Sequence, residues 1–189
     1  MKIQANHDGI VTTPINQYSV ALAVAIQNDG KIIAGGFAQN NNDGKDFVLV
    51  RYNPDGNLDR NFGNGGIIVK DFNGGDDAIE SLAIQNDGKI VVAGFSDGWK
   101  VFAGNPIKFT VARYNPGGSL DTDNDADPNS WFGPNHDGIV TTRIQNKLSD
   151  EYAHSVAIQS DGKIVCAGEA ENDFALARYN SDGSLDMTF

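Results

Sequence analysis

A chain of 189 residues, 40% of them hydrophobic, can bury one core or two small ones. Its formal charge of −11 sets the surface against a phosphate backbone, so nucleic acid is not an expected partner, and no apolar run approaches the roughly 20 residues of a membrane helix. The single cysteine, Cys166, excludes an intrachain disulfide, and Met1-Lys2-Ile3-Gln4 leads into polar residues with no apolar leader of the signal-peptide kind.

In chain order, the first recognisable block is Asn6-His-Asp-Gly-Ile-Val-Thr-Thr13. It returns unchanged at Asn135–Thr142, with Gly65-Gly-Ile-Ile-Val69 as a middle version. The next block, Ala25-Ile-Gln-Asn-Asp-Gly-Lys-Ile-Ile-Ala-Gly35, recurs from Ala83 to Gly94 and from Ala157 to Gly168, each one residue longer before its glycine. Within it, Gln27-Asn-Asp-Gly-Lys31 fits a type I turn closed by a left-handed glycine, a hairpin with a bulge. A third block, Phe47-Val-Leu-Val-Arg-Tyr-Asn-Pro-Asp-Gly-Asn-Leu-Asp59, recurs as Phe109–Asp121 and Phe174–Asp186. Its Asn53-Pro-Asp-Gly56 places proline where φ near −65° is wanted and glycine where φ turns positive.

Gln27, Gln85 and Gln159 are separated by 58 and then 74 residues, because the second unit carries insertions at about 96–108 and 122–131. Asp77–Leu82 comes nearest to a helical period, but its counterparts run directly into a strand. In the last unit the predicted strands are Gly138–Thr142, His154–Gln159, Lys163–Ala167 and Phe174–Tyr179, all short and rich in β-branched or aromatic residues. Four strands in roughly 60 residues are the size of a propeller blade. A solenoid would use shorter repeats, and a sandwich would not require such regular units. The expectation is an all-β chain, one repeat domain over 1–189, with three four-stranded blades at about 7–63, 64–133 and 134–189.

These blocks resemble the delta-60 repeat, a bacterial propeller repeat of poorly defined function. The resemblance rests on the Gln-x-Asp-Gly-Lys-Ile hairpin, the Phe-x-x-x-Arg-Tyr-Asn strand end and the Gly/Asn-x-Leu-Asp closing segment, and it covers residues 7–189. It implies a propeller, often in a secreted or surface-associated protein, and carries over no site residues. The insertions of the second unit depart from it.

Three blades do not close a ring, since propellers have four to eight, and an open arc leaves an unpaired face at each end. One reading is a fragment of a longer gene. The other is head-to-tail assembly, in which two chains give six blades as a homodimer. The termini favour assembly, because Ser184–Phe189 stops where a unit would begin and Asn6–Thr13 starts as though continuing one.

For chemistry, Asp121-Thr-Asp-Asn-Asp-Ala-Asp127 alternates carboxylates as a calcium loop does, making Asp121, Asp123, Asp125 and Asp127 candidate Ca²⁺ ligands. The loop lacks a glycine at its sixth position and has Phe132 at its twelfth. Asp121 also belongs to the repeat, together with Asp59 and Asp186, so a solvated acidic insertion is the competing reading. Arg51, Arg113 and Arg178 each precede one of these aspartates by eight residues, a ligand ring or, as favoured here, a structural pair that every blade needs. No two of His7, His136 and His154 have the spacing of a local metal pair, and no nucleophile elbow or phosphate loop is present. Cys166 reads as a small buried strand residue. Trp99, Phe102 and Trp131 lie in or beside the insertions and are the candidate ligand-binding aromatics, with packing over the adjacent blade as the alternative. The resulting expectation is a non-catalytic binding or scaffold module whose partner is a glycan or a protein. The alternatives are a structural segment of a larger surface protein and a carboxylate-based hydrolase or lyase.

Overall fold

The computed structural model describes residues 9–39, 44–72, 74–97, 106–122, 131–144 and 149–189. Its regular elements are eleven strands: β1 (Ser19–Ile26), β2 (Ile32–Gln39), β3 (Lys45–Tyr52), β4 (Ile67–Lys70), β5 (Asp77–Ile84), β6 (Ile90–Ser96), β7 (Lys108–Tyr114), β8 (Ile139–Thr142), β9 (Glu151–Ile158), β10 (Ile164–Ala170) and β11 (Asp173–Tyr179). They form three antiparallel sheets of order β1-β2-β3-β4, β5-β6-β7-β8 and β9-β10-β11. Asp77–Leu82 is strand, as its counterparts are, so the helical period there is overridden by pairing with β6.

Each hairpin follows from its turn chemistry. Gly30, Gly88 and Gly162 have φ of 81°, 85° and 85°, a region that only glycine enters without steric cost. Gly30 donates its N–H to Gln27 O at 2.9 Å, and Gln27 donates to Lys31 O at 2.8 Å, which closes the bulged turn the sequence predicts.

A second irregularity recurs one strand length away. The register slips between Ala21 and Ala23 and between Ile79 and Ser81, and β9 slips at the same place against Ala167 and Gly168. The extra residues are Leu22, Glu80 and His154. Opposite each bulge stands a glycine: a Cβ on Gly36, Gly94 or Gly168 would lie 1.9, 1.9 or 1.8 Å from the carbonyl oxygen of Val20, Ala78 or Tyr152. The third glycine-bearing position of the repeat therefore exists for backbone approach, not for turning.

The expectation of four strands per unit is met in two sheets and corrected in the third. Residues 139–142 pair with β7 (Phe109 opposite Thr142, Ala112 opposite Ile139) and complete the second sheet instead of opening the third. β4 does the same for β3. The repeat unit and the sheet are thus out of phase by one strand, and among the described residues the third sheet has three strands. The physical reason is edge pairing, because without β4 and β8 the strands β3 and β7 would each present a row of unpaired backbone groups.

The sheets stack face to face with a core between each pair. Between the first and second lie Ile33, Phe47, Leu49, Ile79, Leu82 and Tyr114, and between the second and third Val91, Phe109, Val111, Val156, Ile164 and Tyr179, all buried. Leu82 reaches into the space over Gly35, where a Cβ would meet its Cδ2 at 2.9 Å. The connection from each outer strand to the next inner strand is pinned by a carboxylate. Phe72 donates its N–H to Asp77 Oδ2 at 2.7 Å, and Ile144 donates to both oxygens of Glu151 at 3.0 and 2.9 Å.

Candidate functional site

An arginine, an aspartate and a lysine of the repeat converge at one place in every sheet. Arg51, Arg113 and Arg178 stand at the ends of β3, β7 and β11. After each, the Asn-Pro-Asp-Gly type of turn folds the chain back, so that Asp59, Asp121 and Asp186 each donate their N–H to the carbonyl of the arginine eight residues before, at 2.9 Å. This return brings the side chains together. Arg51 Nε lies 2.9 Å from Asp59 Oδ2, Arg178 Nε lies 2.8 Å from Asp186 Oδ2, and Arg113 Nε donates to Asp121 Oδ2 in the same way. The hairpin lysine joins from the side, with Lys31, Lys89 and Lys163 Nζ at 3.2, 2.9 and 2.8 Å from the same oxygens. A phenylalanine ring floors each guanidinium, Phe62, Phe132 and Phe189, with centroids 4.5, 4.7 and 4.6 Å from Cζ.

The cluster also reaches across to the next sheet. Arg51 Nη1 donates to the carbonyl of Pro116, and Arg113 Nη1 donates to that of Ser181. Beside them, Gly63 N donates to Gly117 O at 3.1 Å and Gly133 N to Asp182 O at 2.8 Å. Arg51 and Arg113 are each a clamp between their own sheet and the turn of the following one.

Electrostatics fits this role. Burial works against ionisation of Asp59, but the Asn61 N–H, Lys31 and Arg51 outweigh it and hold the carboxyl below its ordinary value. Lys163, followed by the Thr188 hydroxyl and N–H, holds Asp186 far below the carboxylate range. A carboxylate oxygen held between two cations is a poor proton acceptor, so Asp59 and Asp186 are suited to structure in preference to general-base chemistry. The Arg/Asp pairing was legible from its eight-residue spacing. The lysine and the phenylalanine were not singled out, although Gly-Lys after each turn and Asp-x-x-Phe in the first and third units carried the signal.

Of the calcium candidates, Asp121 is fully buried in its clamp, and Asp123, Asp125 and Asp127 lie outside the described residues. Among the described residues, no group of three or more His, Cys, Asp or Glu side chains is placed to hold a metal ion. Trp131 packs on His136, ring centroids 4.3 Å apart, and its carbonyl accepts from Arg113 Nη2 at 3.3 Å. Trp99 and Phe102 lie outside the described residues. Cys166 is buried, and burial pushes its thiol up to about 12, where it is inert as a nucleophile. No described helix is long and apolar enough to cross a membrane.

A second constellation lies along the inner strands β1, β5 and β9, where the three bulges present Leu22, Glu80 and His154. His154 Nδ1 lies 3.6 Å from Glu80 Oε2, and its Nε2 lies 4.0 Å from Glu169 Oε1. Tyr152 stacks parallel to His154 at 6.0 Å and meets Phe95 edge-on at 5.0 Å. This partly exposed grouping of two aromatic rings and two carboxylates was not predicted as a site, because only the bulge brings His154 and Glu80 to corresponding positions on neighbouring strands.

The sequence profile described as domain of unknown function (DUF5122) beta-propeller matches residues 27–62, 85–123 and 159–189, together more than half of the chain. The chain belongs to the DUF5122 beta-propeller family. The three matched stretches each run from the hairpin glutamine to the region of the clamp aspartate or its phenylalanine, so the DUF5122 signature and the clamp coincide. No curated protein matches the chain. As a DUF5122 propeller its sheets are blades, numbered one to three below.

Proposed function

We propose that this chain is a non-catalytic propeller module that binds a glycan on the face formed by its inner strands. The observation that carries the reading is the contrast between two sets of positions. The arginine, lysine and aspartate that recur at the strand ends of every blade are consumed by the clamps, whereas the bulge residue changes from Leu22 to Glu80 to His154 on an unchanged backbone. Variable side chains on an invariant frame are the arrangement of a recognition surface. The flat pair Tyr152 and His154, flanked by Glu80 and Glu169, supplies a stacking platform for an apolar sugar face and acceptors for its hydroxyls.

The finer resemblance to the delta-60 repeat supports a secreted or cell-surface setting for this role. A complete ring of six blades from two copies is the assembly that would present the face. A glycan array read with the wild type and with His154→Ala is the test. Binding of one glycan class that drops at least tenfold in His154→Ala supports the reading. Binding to protein ligands only, or release of new reducing ends from a bound glycan, overturns it.

A further inference from the structure

Blade three is finished on one side only. In blades one and two the third strand is covered by an outer strand and by the following sheet, so Phe47 and Phe109 are 1% and 0% exposed. Their counterpart Phe174 on β11 is 100% exposed, and Leu176 is 56% exposed where Leu49 and Val111 are at 1% and 0%. Among the described residues no strand lies beyond β11.

The strand that would fit there is written elsewhere in the chain. Residues 6–13 repeat residues 135–142 without a change, and 139–142 is β8, the outer strand of blade two. Yet the described part, Gly9–Thr13, belongs to no strand, with Ile10 and Val11 exposed. Its placement copies that of β8. Thr142 Oγ1 lies 2.7 Å from Tyr179 Oη on the blade that follows, and Thr13 Oγ1 lies 2.6 Å from Tyr52 Oη on blade one. Ile15 then packs on blade one as Ile144 packs on the core shared with blade three. Gly9–Thr13 therefore occupies the position of an outer strand belonging to a blade that precedes blade one.

The remaining contacts between blades point the same way. Leu82 and Val156 bury themselves against the preceding sheet, while their counterpart Val24 on β1 is 67% exposed, as Ile26 also is. Arg51 and Arg113 clamp the turn carbonyls of Pro116 and Ser181; the same step from Arg178 leads to the carbonyl of Pro54. The head of blade one and the tail of blade three are thus the two halves of an interface that the chain already builds twice.

We infer that β11 is completed by the Gly9–Thr13 strand of a second copy, in the register Phe174 opposite Thr13, Ala175 opposite Thr12, Leu176 opposite Val11 and Ala177 opposite Ile10. The register is that of β7 on β8. The exchange is reciprocal, so both junctions of a two-copy ring are sewn by strand addition. This rests on the six-blade reading above and names what closes it.

Two single variants of the full chain test it, Val11→Cys and Leu176→Cys, co-refolded, oxidised and run without reductant, with light scattering on the unoxidised mixture. The expected result is a mass of two chains, and a two-chain covalent band in the mixture that the unmodified chain does not give. Ile10→Cys mixed with Leu176→Cys should give no band, since Ile10 faces the opposite side of the strand. A two-chain mass without the Val11–Leu176 band, or with an equal Ile10–Leu176 band, overturns strand exchange and leaves the six-blade ring standing. A single-chain mass up to about 100 µM overturns both. So does a mass larger than two chains. A crosslink formed within one chain of a Val11→Cys/Leu176→Cys double variant overturns the second copy as the strand's source.

Discussion

Blades two and three share the blocks of the repeat and differ in what stands beyond them. Phe109 is sealed while Phe174 is bare, and Arg113 is 6% exposed in its side chain against 20% for Arg178. The three strands that both contain, their hairpin turns and their bulges are alike, so these parts of a blade form from its own residues. Burial, by contrast, belongs to the neighbour. Positions written for a core remain apolar where no following sheet covers them, and each such side chain forgoes roughly 1.5–3 kcal/mol of transfer free energy.

Paired substitutions in the two blades sharpen this contrast, read as shifts in denaturation midpoint. Phe109→Ala should cost about 3–5 kcal/mol through loss of a sealed ring, whereas Phe174→Ala on the chain as described should stay within about 0.5 kcal/mol. Comparable losses would place a neighbour on blade three in solution. Arg113→Ala should cost about 3 kcal/mol, since it strands a buried carboxylate on Lys89 alone. Arg178→Ala should cost clearly less, with no following turn to release. Gly94→Ala and Gly168→Ala should each cost about 2–3 kcal/mol and should match one another, because the clashing carbonyl lies within the same blade. A large difference between these two would break the idea that bulges are local.

The smallest effect concerns blade two alone. Burial, against the Phe72 N–H and reinforced by Asp71, Asp46 and Asp76, raises the Asp77 carboxyl from 3.8 to about 7. A raised carboxyl favours folding when protonated, so its contribution is full below pH 3.8 and is lost as pH rises through about 7. Asp77→Asn keeps the acceptor for Phe72 and should remove on the order of 1–2 kcal/mol of that pH dependence between pH 4 and 8. An unchanged stability profile in this variant would show that Asp77 is not its source.

Much of this was legible in the residues. The strands, the bulged hairpin at Gln27–Lys31 and the pairing of Arg113 with Asp121 follow from three copies of one pattern, because turn chemistry and spacing act locally. The phase of the sheets did not follow. Ile139–Thr142 reads as a strand from its own alternation, but alternation does not say which edge a strand joins. The group at the bulges was hidden for a similar reason: His154 and Glu80 are 74 residues apart and meet only through matching bulges. Asp121 carried two readings, calcium ligand and repeat position, and its Oδ2 meets Arg113 and Lys89 as the repeat position requires.

The one-strand offset between repeat and sheet has a mechanical side. A unit pulled from either end cannot leave as a finished sheet, since it must strip a strand from its neighbour or abandon one. Load applied to the chain is therefore carried in shear across the strand that crosses each boundary, instead of being resisted by face packing alone. Growth by duplication inherits the same stitching: a unit copied in frame arrives already threaded into the sheet before it, so an array can lengthen without ever passing through a stack of uncoupled blades.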